Sequence, residues 1–513
     1  MGSLIEMIKI LSRHKLKRIE VMGNPGEGTG KLYDLYNGFQ SGRFSNDEEA
    51  AREIYQAEPS DRRYRKLKNK LKNRLINTLV FIDANQPRFN EYAIARFNCL
   101  KLFTAQQIFN FYRGVRSSEE LGSKALKEAD KYGFYFIALE ITRSLRNRQA
   151  IRGTARDLAA LNQKIRQYQK VIEAECLAEE YYYSLVATFS RSGASRGELL
   201  EDAIRQEKEL RPYTEAHNSV MLTYYARNFF ALRYILDNDY QRALEECKIA
   251  IEQIEERKYY PHIFLFALWF RILQCHLQLK NYHEGERVVQ RCLELTATGS
   301  VHNHFVTREM HLLLSLHTEQ YDRGCDIYFD TIESDRYRLL SDHKKENWRI
   351  YGAFIHYLIE IGKVSTRAEE EGQRRRFKLG KFLNEVPTYS KDKRGLNIPI
   401  LIIQSLFLLH RRRFSEVIDR TEALNTYAYR YLRRDETYRS NCFIKMILTL
   451  PAANFHRQAV IRRARKFREK LELEPLEVSG ESSEVEIIPY EKLWEMVLDS
   501  LDDKFQKPRK PPK

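Results

Sequence analysis

The feature that most constrains the fold of this chain is a segment that recurs four times in its second half. DNDYQRALEECKIAI, LKNYHEGERVVQRCL, TEQYDRGCDIYFDTI and RRRFSEVIDRTEAL align on one aromatic: Tyr240, Tyr282, Tyr321 and Phe414. Each follows an apolar stretch of about 15–20 residues and a short polar turn, so each aromatic opens the second helix of a hairpin. Three positions on stand Ala243, Gly285, Gly324 and Val417, and seven further on Ala250, Cys292, Thr331 and Leu424. Two antiparallel helices approach closely only where a side chain is small, and a corner aromatic fills the wedge between neighbouring hairpins.

This pattern resembles the tetratricopeptide (TPR) motif, whose hairpins carry small residues at these points. In the best copy Ala231, Tyr234, Ala243 and Ala250 hold the small, aromatic, small and small positions; the second keeps Tyr282, Gly285 and Cys292 but has Leu273 where the first helix wants a small residue. The aromatics lie 42 (240 to 282) and 39 (282 to 321) residues apart, against about 34 for the motif, so helices or loops are longer than standard. The 93 residues from Tyr321 to Phe414 leave room for two units, NWRIYGAFIHYLIEIGKV supplying a first helix and RRRFKLGKFLNEV a degenerate second. The resemblance covers residues 216–450. It implies a right-handed helical-hairpin solenoid, and a non-catalytic scaffold that binds a protein or peptide on its repeat surface.

Composition agrees with an all-α fold. Only 22 Gly and 13 Pro occur in 513 residues, too few for the tight turns of a sheet protein, while 43% apolar and 30% charged residues exclude a disordered chain. No run of about 18 apolar residues is present, so no membrane insertion is expected. The start, MGSLIEMIKILSRHKLKRIE, alternates apolar and charged residues unlike a secretory signal, and Glu6 stands where myristoylation wants Ser or Thr. Seven widely spaced cysteines without a CxxC point to a reducing cytoplasm, with the thiols as small core residues.

Five regions are expected. Residues 1–87 form a basic helical head: a helix through Leu4–Ile19, the break GNPGEGTG, a second helix around Leu32, Leu35 and Phe39, and a third capped by Asn46 or Ser45. A long fourth opens at Pro59-Ser60-Asp61, with Tyr64, Leu67, Leu71, Leu75, Leu79 and Ile82 on one stripe. Residues 88–215 are degenerate hairpins with breaks near Gly114, Gly153 and Ser192–Ser195, and residues 216–450 are the TPR-like repeats. Residues 451–502 form a cap: two β-prone runs, Leu476–Val478 and Val485–Ile488, as a small hairpin or an extended loop, then a helix Tyr490–Leu501 with Leu493, Trp494 and Val497 on one face. Residues 503–513 are a basic tail.

Reactive constellations are not expected. GNPGEGTGKL has Pro25 where a phosphate loop needs its first Gly, and Leu32 where it needs Ser or Thr. His302, His304, His311 and His317 lack the i, i+3 or i+4 spacing of ligands on a helix. No nucleophile elbow or isolated carboxylate pair stands out, so no catalytic, cofactor or metal residues are assigned.

The functional clue is charge. The formal net charge is +16, and residues 411–470 hold sixteen basic against six acidic residues. Arg411, Arg412, Arg413, Arg430, Arg433, Arg434 and Arg439, interleaved with Tyr427 and Tyr431, are candidates for binding a partner's anionic groups. In the head, Arg62, Arg65, Lys66, Lys70 and Arg74 are candidates for contacting phosphate. The expected partner is an acidic protein or peptide. The alternative is a nucleic-acid-associated regulator that uses the head or the Arg/Tyr block.

Overall fold

The computed structural model describes residues 30–79, 90–191, 196–297, 300–364, 380, 394–431, 438–473 and 486–504. They form twenty α-helices and one short 3-10 helix, with no strand among the described residues. The chain divides into two compact units, residues 1–170 and 171–513.

In the first unit, α1 (Lys31–Gln40), α2 (Asp47–Tyr55) and α3 (Arg62–Leu79) close on a small core of Leu35, Phe39, Phe44, Ala50, Tyr64, Leu71 and Leu75. Asn46 caps α2, its side chain accepting from the Glu49 N–H at 2.9 Å, while the Glu49 carboxylate accepts from the Ser45 N–H at 2.7 Å. That reciprocal pairing satisfies donors the first turn would leave bare. Asp47 at the start of α2 then accepts from the Tyr64 hydroxyl at 2.5 Å and the Lys68 ammonium at 2.6 Å, which fixes the rotation of α3. Next come α4 (Glu91–Phe111), α5 (Val115–Tyr132) and α6 (Tyr135–Arg152), packed in sequence and broken at Gly114 and Gly153. The expected helix Leu4–Ile19 and the loop before Gly30 lie outside the described residues.

Helix α7 (Ala155–Arg191) runs through the division, and α8 (Arg196–Ala216) leads into the second unit. There the aromatic-marked hairpins form as pairs: α9 (Val220–Leu236) with α10 (Tyr240–Glu255), α11 (His262–Gln278) with α12 (Tyr282–Thr296), and α13 (Val301–His317) with α14 (Tyr321–Glu333). Each helix packs on its successor. In addition α9 lies on α11 and α11 on α13, so the first helices of successive hairpins touch. Close approach depends on the small residues. Ala243 and Ala250 are fully buried, and a Cβ on Gly285 would fall 2.5 Å from Leu314 Cδ2.

One turn closes these hairpins. The residue two before each aromatic is left-handed: Asn238 (φ 57°), Lys280 (φ 51°), Glu319 (φ 61°) and Arg412 (φ 57°). The next residue's N–H reaches back five positions: Asp239 to Tyr234 O (2.9 Å), Asn281 to His276 O (2.9 Å), Gln320 to Ser315 O (2.8 Å) and Arg413 to Leu408 O (2.9 Å). This closure satisfies carbonyls at the helix end and offsets the roughly 1 kcal/mol of a non-glycine left-handed residue. A fifth copy follows α15 (Asp342–Glu360), with Gly362 at φ 74° and the Lys363 N–H on Leu358 O at 2.9 Å; buried Val364 takes the aromatic's place. Its second helix, expected in RRRFKLGKFLNEV, falls outside the described residues save Gly380.

The remaining helices are α16 (Arg394–His410), α17 (Phe414–Tyr431), α18 (Tyr438–Ala452), α19 (Arg457–Leu473) and α20 (Tyr490–Asp499). The last packs across α16, α18 and α19, burying Leu493, Trp494 and Val497, and Tyr490 stacks on Phe443 at 4.5 Å between ring centres. Of the β-prone runs, Leu476–Val478 lies outside the described residues, and residues 486–488 form no strand; Ile487 and Ile488 are buried as anchors before α20. Residues 505–513 of the expected tail are also outside.

Candidate functional site

Where α10, α11 and α12 meet at their turn end, a cleft of about 380 Å³ opens, in the size range of small ligand or side-chain seats. Helical spacing builds it. Gln241, Leu244 and Lys248 stand at i, i+3 and i+7 on α10, Trp269, Ile272 and His276 at the same spacing on α11, and Glu284 and Val288 one turn apart on α12. Leu279 and Asn281 of the turn close the end. The floor is apolar and the rim polar. Two polar atoms of the lining residues, Trp269 Nε1 and His276 Nδ1, are buried without a hydrogen-bond partner among the described residues. Burial also holds His276 below the ordinary histidine value, leaving a neutral ring at pH 7. Trp269 is half-buried, whereas Trp348 and Trp494 are 1% and 2% exposed.

Three buried or half-buried carboxylates of the second unit are matched. Glu246 on α10 meets Arg211 of α8 at 2.8 Å and Arg227 of α9 at 2.6 Å. Glu286 on α12 meets His311 of α13 and, at 3.0 Å, Arg323 of α14. The His311 bond, helped by Arg323, holds the Glu286 carboxyl at about 2; His311, wholly buried, is itself kept below its ordinary value by desolvation. Glu309 on α13 accepts from the Tyr351 hydroxyl of α15. These carboxylates tie one hairpin to the next, a positional role.

Four of the candidate arginines in the basic block are committed to internal partners. Arg411 grips Glu360 with two bonds of 2.7 Å, Arg412 sits in a left-handed turn 3.2 Å from Asp502, and Arg413 pairs with Glu416. Arg439 is largely enclosed, its side chain 12% exposed: it reaches Glu486 at 2.6 Å, Glu491 at 2.8 Å and the Leu471 carbonyl at 2.8 Å. The side chains of Tyr427, Arg430 and Tyr431, and all of Arg433 and Arg434, lie outside the described residues. On α19, Arg465 and Arg468 pair with Glu469 and Glu472, while Arg462, Arg463 and Lys466 are exposed. In the head, Arg62, Arg65, Lys66 and Lys70 stand exposed on α3 and Arg74 is half-buried. Between 220 and 363 the charges balance, eighteen Lys and Arg against twenty Asp and Glu. The chain's positive excess therefore lies outside residues 220–363, and α3 alone carries eight Lys and Arg with no acidic residue.

The histidines expected to be loop and core residues all stand on α13, where His311 and His317 are buried, the latter with its Nε2 2.5 Å from the Glu486 carbonyl. Among the described residues no three His, Cys, Asp or Glu side chains gather as a metal site, and no helix is long and apolar enough to cross a membrane. Lys31 begins α1 with its ammonium 4.0 Å over the Tyr55 ring. All seven cysteines are free and six are buried; Cys176 is exposed. No protein family, curated protein or solved structure matches this chain.

Proposed function

We propose that this chain is a non-catalytic scaffold, a right-handed stack of TPR-like hairpins acting in the cytoplasm, which seats a protein or peptide partner on its repeat surface. The observation that carries the reading is the cleft between α10, α11 and α12: an apolar floor, a half-buried tryptophan and a mixed polar rim on rigid helices. Contact between the first helices of successive hairpins supports the repeat form, because a stack that touches along one row and parts along the other curves and offers an extended surface. The partner inserts an apolar side chain beside Trp269. Its acidic stretch belongs at the exposed arginines of α19, since residues 220–363 carry no positive excess.

The test is a display selection of random peptides on the full-length chain, with binding of the recovered peptides measured to wild type and to Trp269→Ala. The expected result is binders enriched in one apolar anchor and weakened at least about tenfold by the substitution, as for a central aromatic contact. Recovered peptides that bind Trp269→Ala as well as wild type, or a selection that enriches nothing, would overturn the proposal.

A further inference from the structure

Helix α3 carries eight Lys and Arg in eighteen residues and no acidic residue. Arg62, Lys66, Lys70 and Arg74 follow one another at i, i+4 spacing, an arrangement in which like charges repel and weaken a helix. Arg63 pairs with Asp61 and Lys68 with Asp47. Arg62, Arg65, Lys66, Lys70 and Lys72 have no such partner among the described residues. By contrast, Arg411, Arg412, Arg413 and Arg439 of the C-terminal block are all paired. A helix that keeps Arg62, Arg65, Lys66, Lys70 and Lys72 without an acidic partner among the described residues is complementary to a polyanion.

The rest of that face narrows the kind of polyanion. Between the cations stand three exposed amides, Asn69, Asn73 and Asn77, and Ile76, which is 44% exposed. Amide side chains pair with adenine edges and apolar ones with thymine methyls, while the flanking cations meet phosphates. The opposite face is wholly engaged: Tyr64, Leu71 and Leu75 are at most 1% exposed, and Asp47 locks Tyr64 and Lys68. A membrane-surface helix needs that apolar face for lipid, and here the protein has used it. Eighteen residues make a rod of about 27 Å, and a B-form major groove, about 12 Å wide, admits an α-helix whereas that of duplex RNA does not.

We propose that α3 is a DNA-contacting helix that lies in the major groove of duplex DNA, with Arg62, Arg65, Lys66 and Lys70 on phosphates and Asn69 and Asn73 at base edges. This function is additional to the peptide seat and independent of it. The probe is a labelled mixed-sequence duplex of about 25 base pairs, titrated with the full chain from about 50 to 200 mM salt. The head variant Arg65→Gln/Lys66→Gln/Lys70→Gln is compared with an α19 variant, Arg462→Gln/Arg463→Gln/Lys466→Gln, each checked for an unchanged melting curve. The single substitution Lys66→Glu serves if the head triple melts early.

Wild type is expected to bind with a steep salt dependence. The head triple should lower the affinity at least tenfold and the logarithmic salt slope by about 2.7, three contacts at about 0.9 each. The α19 variant should bind as wild type, and duplex RNA and anionic phosphatidylserine vesicles should bind more weakly than DNA. The proposal fails if wild type does not bind DNA at the lowest salt, or if the head variant keeps wild-type affinity. It also fails if α19 carries an equal share, or if RNA or vesicles bind as tightly as DNA.

Discussion

Replacing Arg439 with methionine removes the cation that holds the C-terminal helix while keeping most of the side chain's packing. Arg439 and Glu486 are 12% and 7% exposed, and the guanidinium bonds Glu486, Glu491 and the Leu471 carbonyl. Glu491, at 32% exposure, regains water when the arginine is gone. Glu486 does not, and among the described residues it keeps the Tyr490 N–H at 3.0 Å. Breaking a buried pair typically costs about 3–5 kcal/mol; with one of two carboxylates rehydrated, the low end, about 3 kcal/mol or a hundredfold, is expected at pH 7.

The sign with pH follows from Glu486. Burial holds its carboxyl above the ordinary value even with Arg439 present, and without the arginine it rises further. A group with a raised folded value stabilises below the unfolded value and loses that contribution as pH rises, so the deficit of Arg439→Met should shrink on going from pH 7 toward pH 4.5. Urea unfolding at both pH values, with amide hydrogen exchange of residues 490–499, measures it. Arg439→Met/Glu486→Leu should recover most of the loss. A single variant within 1 kcal/mol of wild type at pH 7, or a deficit that grows in acid, would refute the reasoning.

Two further outcomes follow from the hairpin contacts. Glu286, held at about 2 against an ordinary 4.5, contributes stability that is present above pH 4.5 and lost as the pH falls toward 2; Glu286→Gln should flatten that part of the stability curve, and an unchanged acid limb would speak against the His311 and Arg323 contacts. Gly285→Val places side-chain atoms where even a Cβ lies 2.5 Å from Leu314 Cδ2, so a loss of about 1–3 kcal/mol in urea unfolding is expected; equal stability would mean α12 and α13 do not meet so closely.

The four corner aromatics were legible because a repeated apolar helix, polar turn and aromatic is a local pattern, and each of them does open a helix. The turn itself was not. Its left-handed position holds Asn238, Lys280, Glu319 and Arg412, which share no chemistry, because the five-residue backbone bond supplies the stability that glycine usually does. The fifth turn was hidden by Val364, which fills the wedge without a ring. The inter-hairpin carboxylates could not be picked out of 70 acidic residues, since burial depends on which helix arrives opposite. The arginine block read as one patch; folding separates it into paired side chains and a short exposed row on α19. Trp269, one of only three tryptophans, carries a single signal in the sequence: a large aromatic with an N–H in a helix otherwise readable as core.

The most direct measurement is the hydrogen-exchange footprint of a display-selected peptide on the full-length protein. A peptide seated beside Trp269 should slow exchange in residues 241–248 and 269–288 and leave α3 and the buried cap near wild-type rates. Protection confined to another region, with those segments unchanged, would contradict the assignment of the hairpin cleft as the partner's seat.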